Sequence, residues 1–474
     1  MSSETRRVLG LETEYGLHHW NPEGRPLPAE EVARYLFRSI VEWGRSSNVF
    51  MPNAARLYLD VGSHPEYATA ECSSLTELIA QDAAGDAMFR ELAAQAEDAM
   101  SRDGIGGSVH LYRNNVDSAG NSYGSHENYL LRRGTEYRRL AESLVPFLVT
   151  RQLLVGAGRV VPGTHPSDAE SSTGRAAHFA FSQRADFMEE GVSSATTRAR
   201  PIINTRDEPH ADPSKYRRLH VIVGDSNLAE PTHLLRFGAT DLLLRMLEAG
   251  RGPRETELRH PRQAIRQISR DLTGRTAIEL RSSAVTTALD LQRRYLEHAQ
   301  RFVDAEGAHH DAVPRVLDLW SRTLQAVDSG DFTGIDREID WAIKHRVLEG
   351  YRRRHGLDWD APRLAQMDLA FHDITRGRGL FSMLRQAGQV ERVVTDAQIE
   401  HAVAHAPSTT RAAVRAAFIA RARERGLPYT VDWTHLKLEE HPRHALSLKD
   451  PFDTDQTCLD WLFDLIDAPV SGRS

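Results

Sequence analysis

Cysteine is nearly missing: Cys72 and Cys458 are the only two in 474 residues. Two thiols build neither a disulfide framework nor a metal knuckle, which fits a reducing compartment. No stretch approaches the ~20 apolar residues of a membrane span. The opening residues Met1 to Arg7 lead into a strand-like run with no apolar signal core, so the expectation is a cytoplasmic chain with no membrane partner. No block of like charge runs along the sequence. The densest basic spot, Tyr351-Arg352-Arg353-Arg354-His355, reads as the solvated end of a helix, where cations are favoured. A net charge of −7 and a pI near 6.3 argue against a nucleic-acid binder driven by phosphate neutralisation. Also missing are a Walker loop, a G-x-G-x-x-G after a strand and a G-x-S-x-G elbow; any ATP must bind without the common glycine-rich cradle.

What is present is ordinary globular chemistry, 40% hydrophobic and 26% charged, enough for a large core. At 474 residues the chain should hold one large catalytic domain and something smaller. The break is placed near Ala406-Pro407-Ser408, giving units of 1–405 and 406–474. Leu9 to Tyr15 alternates apolar and polar residues, the strand period, with Glu12 and Glu14 on one face. Arg56 to Val61 reads as a second strand with Arg56, Tyr58 and Asp60 on one face. Shorter strands are expected at Val109–Tyr112, Leu219–Val223 and Tyr429–Leu438. Helices are expected at Pro28–Gly44, from the capping box Ser74-Leu75-Thr76-Glu77 to about Met100, and at Thr232–Ala249, Ala284–Ala305, Ala312–Val327, Ile335–Arg353, Thr409–Arg425 and Cys458–Ile466. Val161 to Ala177, rich in Gly, Pro, Ser and Thr, reads as a loop. Strands separated by helices, without regular alternation, give an α+β class: an antiparallel sheet with helices packed on one side.

Acids crowd the early strands. Glu12 and Glu14 share a face, Asp60 lies beside Tyr58, and Glu66 and Glu71 follow the turn Val61-Gly62-Ser63-His64-Pro65. Two carboxylates on one strand face repel unless a cation sits between them, and magnesium takes such oxygen ligands while keeping phosphates in its remaining positions. A solvent-facing sheet would carry the same acids with no metal. Asn121 to Tyr129 and Pro201 to Asp212 gather further polar side chains. Arg206 suits a phosphate or carboxylate, and equally an ion pair with Asp207 or Glu208. Taken singly, His126 and His210 read as structural histidines.

Longer strings narrow the choice. Gly10-Leu11-Glu12-Thr13-Glu14-Tyr15-Gly16, Arg56 through Cys72, Gly191 through Arg198, Asn204 through Asp212, Tyr216 through Asp225 and Val431-Asp432-Trp433 together resemble the Pup ligase and Pup deamidase–depupylase family, related to glutamine synthetase. The resemblance spans nearly the whole chain. It implies a glutamine-synthetase-like curved antiparallel sheet cradling ATP, with a small C-terminal domain against it. It implies Glu12, Tyr58 and Glu66 serving Mg2+, Arg56, Thr69 and Trp433 contacting ATP, and Asp60 as catalytic base. Arg206 and His210 would face phosphate or substrate. The implied activity is ATP-dependent joining of the small modifier Pup, through its C-terminal glutamate, to lysines of target proteins, marking them for proteasomal degradation.

The alternative within the family is the deamidase–depupylase. Three residues separate Asp60 from His64, where the depupylase motif usually has two. Only Val49 to Ala55 separate the Ser46-Ser47-Asn48 region from Arg56, leaving no room for the depupylase insertion. Ser125 stands where ligases usually show cysteine. Ala54 stands where glycine is usual, implying a backbone that need not adopt positive φ. A small-molecule ligase and a non-catalytic adaptor that feeds Pup to a proteasome are the more distant rivals.

Overall fold

The computed structural model describes residues 6–44, 46–60, 62–117, 120–134, 137–163, 176–193, 200–204, 208–439 and 445–467. Its centre is an eight-stranded sheet of β1 (Leu9–Glu14), β2 (Asn48–Phe50), β3 (Arg56–Asp60), β4 (His64–Ala68), β5 (Ser125–Arg132), β6 (Glu190–Ser193), β7 (Pro201–Asn204) and β8 (Tyr216–Val221). The order across the sheet is β6-β7-β8-β5-β1-β4-β3-β2. The fold is α+β, as the sequence implies. One pair departs from the antiparallel expectation: β6 and β7 run parallel at one edge.

The period of two in β1 sends Leu9, Leu11 and Thr13 into the interior and Glu12 to the opposite face. Its neighbours share that division. Leu57 on β3, Tyr67 on β4, Tyr129 and Leu131 on β5, and Leu219 and Val221 on β8 are buried with the helices. Two apolar clusters form this interior. One gathers Leu9, Leu11 and Leu219 with Leu75, Leu78 and Leu234. The other gathers Leu57 and Tyr67 with Leu36, Phe37, Phe89 and Leu92. Each fully buried side chain of this kind contributes about 1.5–3 kcal/mol. The helices that supply them are α1 (Ala29–Gly44), α2 (Leu75–Arg102) and α3 (Glu230–Glu248).

α2 starts where expected: the Ser74 hydroxyl accepts the Glu77 N–H at 3.1 Å. The reciprocal half of the capping box is displaced by one residue, because the Glu77 carboxylate takes the Ser73 N–H at 3.3 Å. The expected helices near 232–249, 284–305, 312–327, 335–353 and 409–425 lie at Glu230–Glu248, Ala288–Glu306, Val313–Ser329, Asp340–His355 and Ala412–Glu424. Of the expected loop 161–177, residues 164–175 lie outside the described residues.

Two expectations change. Tyr429–Leu438 is a hairpin, Tyr429–Val431 paired with His435–Leu438, because the Asp432 carboxylate accepts the N–H groups of Thr434 and His435 and turns the chain. Ala54 does adopt positive φ, 61°. It sits in a tight turn where the Ala54 N–H bonds Met51 O and the Met51 N–H bonds Ala55 O, so an alanine here carries roughly 1 kcal/mol of strain that glycine would not.

The C-terminal hairpin and the helix Ala412–Glu424 close over their own apolar cluster of Val414, Phe418, Leu436, Leu438, Leu448, Leu459 and Leu462. Glu71, just past β4, ties this unit to the sheet. It is buried and accepts from Arg411 Nε at 2.9 Å and from Arg415 Nη1 and Nη2 at 2.7 and 2.8 Å. No described helix is long and apolar enough to cross a membrane.

Candidate active site

Register turns strand alternation into a site. On the face away from the helices, Glu14 stands opposite Glu66 and Glu12 opposite Ala68. Glu66 stands opposite Tyr58, Ala68 opposite Arg56, and His64 opposite Asp60. On the other flank Glu12 faces His126, and Asn128 faces His220. Residues scattered over two hundred positions of sequence therefore form one patch across five strands.

Pro65 lies inside this sheet, where a missing N–H normally breaks a ladder. The structure compensates locally. The Tyr15 N–H bonds Pro65 O at 2.8 Å, and Tyr15 O receives its hydrogen bond from the His64 ring Nδ1 at 3.1 Å instead.

A cavity of about 260 Å³ lies alongside Val8 and the first four residues of β1, Leu9, Gly10, Leu11 and Glu12. Its walls include Glu12, Arg56, Tyr58, Thr69, His210 and Trp433, six of the nine residues singled out from sequence. Arg56 donates through Nε to Asn48 Oδ1 at 2.8 Å, and its guanidinium lies 4.9 Å over the Tyr58 ring. The Thr69 hydroxyl accepts the Leu11 N–H at 3.1 Å. Trp433 reaches the cavity from the C-terminal hairpin and meets Phe50 edge-on, centroids 4.9 Å apart. Arg206 lies outside the described residues.

Glu66 stands opposite the wall residue Tyr58, and with Asp60 and Glu14 it forms a cluster whose carboxylate oxygens lie within 4.8 Å of one another. The Tyr58 hydroxyl donates to Glu66. Burial, and then the charges of Glu12 and Glu14, push the Glu66 carboxyl well above its ordinary range; burial also raises Glu14. Among the described residues no cationic side chain forms an ion pair with any of the three. Two of the three, Glu14 and Glu66, are buried without such an ion pair, which is costly, and three converging oxygens are the donor set a hard divalent cation takes.

Glu12 belongs to a second cluster, with His126 and His220. His126 Nδ1 lies 3.4 Å and His220 Nε2 3.5 Å from its carboxylate, and Arg218 lies 3.7 Å away. Burial opposes ionisation here, but the two histidines and Arg218 overcome it and hold Glu12 well below the ordinary range. The sequence pairs Glu14 with Glu12 as a candidate cation site, whereas the structure groups Glu14 with Asp60 and Glu66 and gives Glu12 the partners His126 and His220, which the sequence does not mark as site residues. The available signal was their alternation on β5 and β8, visible only once those strands were paired with β1.

The family model described as Pup-ligase protein matches residues 7–437. The chain is 66% identical over 463 residues to a Pup–protein ligase of Micrococcus luteus, covering 98% of each. It is 55% identical over 459 residues to a Pup–protein ligase of an Arthrobacter species, covering 97% of this chain and 99% of the other. Among solved structures, the ligase PafA in its complex with the prokaryotic ubiquitin-like protein Pup superposes with a TM-score of 0.92 at 46% identity, covering 98% of this chain and 92% of that one. The Pup ligase PafA in complex with ADP superposes at 0.84 and 47% identity, covering 94% and 95%.

Proposed function

The chain belongs to the Pup-ligase family, and we propose that it is an ATP-dependent carboxylate–amine ligase that joins the C-terminal glutamate of Pup to lysine side chains of target proteins. One observation carries the geometry of this reading: a single cavity gathers Glu12, Arg56, Tyr58, Thr69 and Trp433, and the Tyr58 hydroxyl donates to Glu66 of the acid cluster Glu14-Asp60-Glu66. Nucleotide is assigned to the cavity, held by Arg56, Thr69 and Trp433, with its phosphates toward the acids. Residues 406–474, which contribute Trp433, are taken as a small C-terminal domain. With both cysteines free, the reaction is assigned to the cytoplasm.

The acid cluster fits Mg2+, and the residues assigned to it are Glu66 within the cluster, Tyr58, which donates to Glu66, and Glu12 beside them; bound there, it would neutralise charge between the triphosphate and an incoming carboxylate. The chain's own residues then have defined tasks. Arg56 and Thr69 orient the nucleotide so that a γ-carboxylate oxygen of the modifier meets the γ-phosphorus in line. ADP leaves, and the glutamyl phosphate that forms carries a leaving group that a free carboxylate lacks. A target lysine amine attacks that carbonyl carbon, the new C–N bond closes and phosphate departs. Free lysine has a pKa of about 10.4, so it arrives protonated at neutral pH. Asp60 accepts its proton, and position rather than basicity makes a carboxylate useful for this.

ADP release from Mg-ATP tests the reading. It should require a Pup that ends in glutamate, and Glu-deleted Pup should give none. ADP release indifferent to Pup would overturn it.

A further inference from the structure

His210 has a conformation and a setting that a phosphate-facing histidine does not require. Its backbone is left-handed, φ 47°, a strained region for a non-glycine residue that marks functional positions more often than others. Its carbonyl accepts from Arg411 Nη2 at 2.5 Å. The carbonyl of Trp433 accepts from Arg415 Nη2 at 2.8 Å. Both arginines are paired with the one buried carboxylate of Glu71. A single clasp thus fixes the main chain beneath two rings, and both rings line the nucleotide cavity. Their centroids are 6.3 Å apart with planes inclined by 38°.

We propose that His210 and Trp433 form a clamp for the purine base of the bound nucleotide, with His210 stacking on the base rather than contacting phosphate. The proposal rests on the reading of this cavity as the nucleotide site. A flat ring held between two others needs about 7–8 Å, two contacts of roughly 3.5–4.0 Å each, so the empty pair opens by about 1 Å to admit it. His210 is exposed at the cavity rim, which leaves its ring free to make that adjustment. Its chemistry agrees. Partial desolvation of the ring at the cavity rim, and then the charges of Arg218 and Arg411, lower its pKa to about 4. At neutral pH the ring is an uncharged plate. It is a poor partner for a polyphosphate and a good one for a π-face.

Calorimetry with ADP, and with inorganic triphosphate as a base-free competitor, separates the two roles. His210→Asn keeps a residue that tolerates left-handed backbone but removes the ring, and should weaken ADP about ten-fold while leaving triphosphate unchanged. His210→Phe should stay within about three-fold of wild type, and His210→Lys should fall as far as His210→Asn. A lysine variant that keeps ADP and triphosphate affinity while the phenylalanine variant loses both would overturn the clamp in favour of a phosphate contact. Three variants all within about two-fold of wild type would overturn it too, since stacking of this kind is worth more than that. Wild-type protein that binds no ADP would overturn the nucleotide reading of the cavity, and the clamp with it.

Discussion

Glu71→Gln should loosen the C-terminal unit and the nucleotide cavity together. The side chain is buried, 8% exposed. Burial alone would raise its pKa, but the Arg415 and Arg411 charges overcome it and bring it from the ordinary 4.5 to about 2. At about 1.4 kcal/mol per pKa unit, that depression corresponds to roughly 3 kcal/mol in favour of the folded, ionised form. A depressed acid contributes this stability fully above its unfolded pKa and loses it as pH falls through the folded value, so it is wholly present at pH 7 and fades between about 4.5 and about 2. Glutamine keeps the shape, removes the charge and leaves two buried arginines unpaired, a change that typically costs about 3–5 kcal/mol. Hydrogen exchange of the Ala412–Glu424 helix amides measures it locally: at pH 7 they should exchange on the order of 10²-fold faster in the variant. ADP affinity should fall in parallel, because Arg411 and Arg415 hold the carbonyls of His210 and Trp433. Unchanged exchange with unchanged ADP affinity would refute the claim that Glu71 couples the two units.

Other outcomes follow from the same geometry. Glu66→Gln should raise the Mg2+ concentration needed for half-maximal ADP formation by about ten-fold or more, by removing one donor charge from the acid cluster; a magnesium titration checks it. Glu127→Gln should lower overall stability by about 3–5 kcal/mol in chemical denaturation, since it strands two buried arginines, Arg151 and Arg236, now paired with a carboxylate held at about 2.

Much of the site was legible because it lies on strands with a clean period of two. Leu9 to Glu14 and Arg56 to Asp60 each display their polar face in sequence, and the register then sets Glu66 between Glu14 and Tyr58. What stayed hidden depended on pairing or on local compensation. β4 contains Pro65, which composition reads as part of a turn; the ladders to β1 and β3, with the Tyr15 main chain and the His64 ring making good the missing N–H, make it a strand. β5 begins at Ser125 among Gly, Ser and Asn residues, so its alternation is masked, and His126 and His220 acquire meaning only beside Glu12. The turn at Asp432-Trp433-Thr434 is set by one carboxylate capping two N–H groups, a signal too short to outweigh the flanking strand-like run. Ala54 shows the opposite case: a residue type that disfavours positive φ is held there by the turn around it.

Intact-protein mass spectrometry tests the central claim most directly. The protein is mixed with Mg-ATP, a glutamate-ending Pup and a lysine-bearing acceptor, beside the same mixture with Asp60→Asn. The account predicts a species at the summed mass of Pup and acceptor less one water, dependent on ATP. Its initial rate should fall by about 10²–10⁴-fold in the variant, while ADP binding is retained. No joined species from the wild-type protein, or undiminished joining by Asp60→Asn, would contradict it.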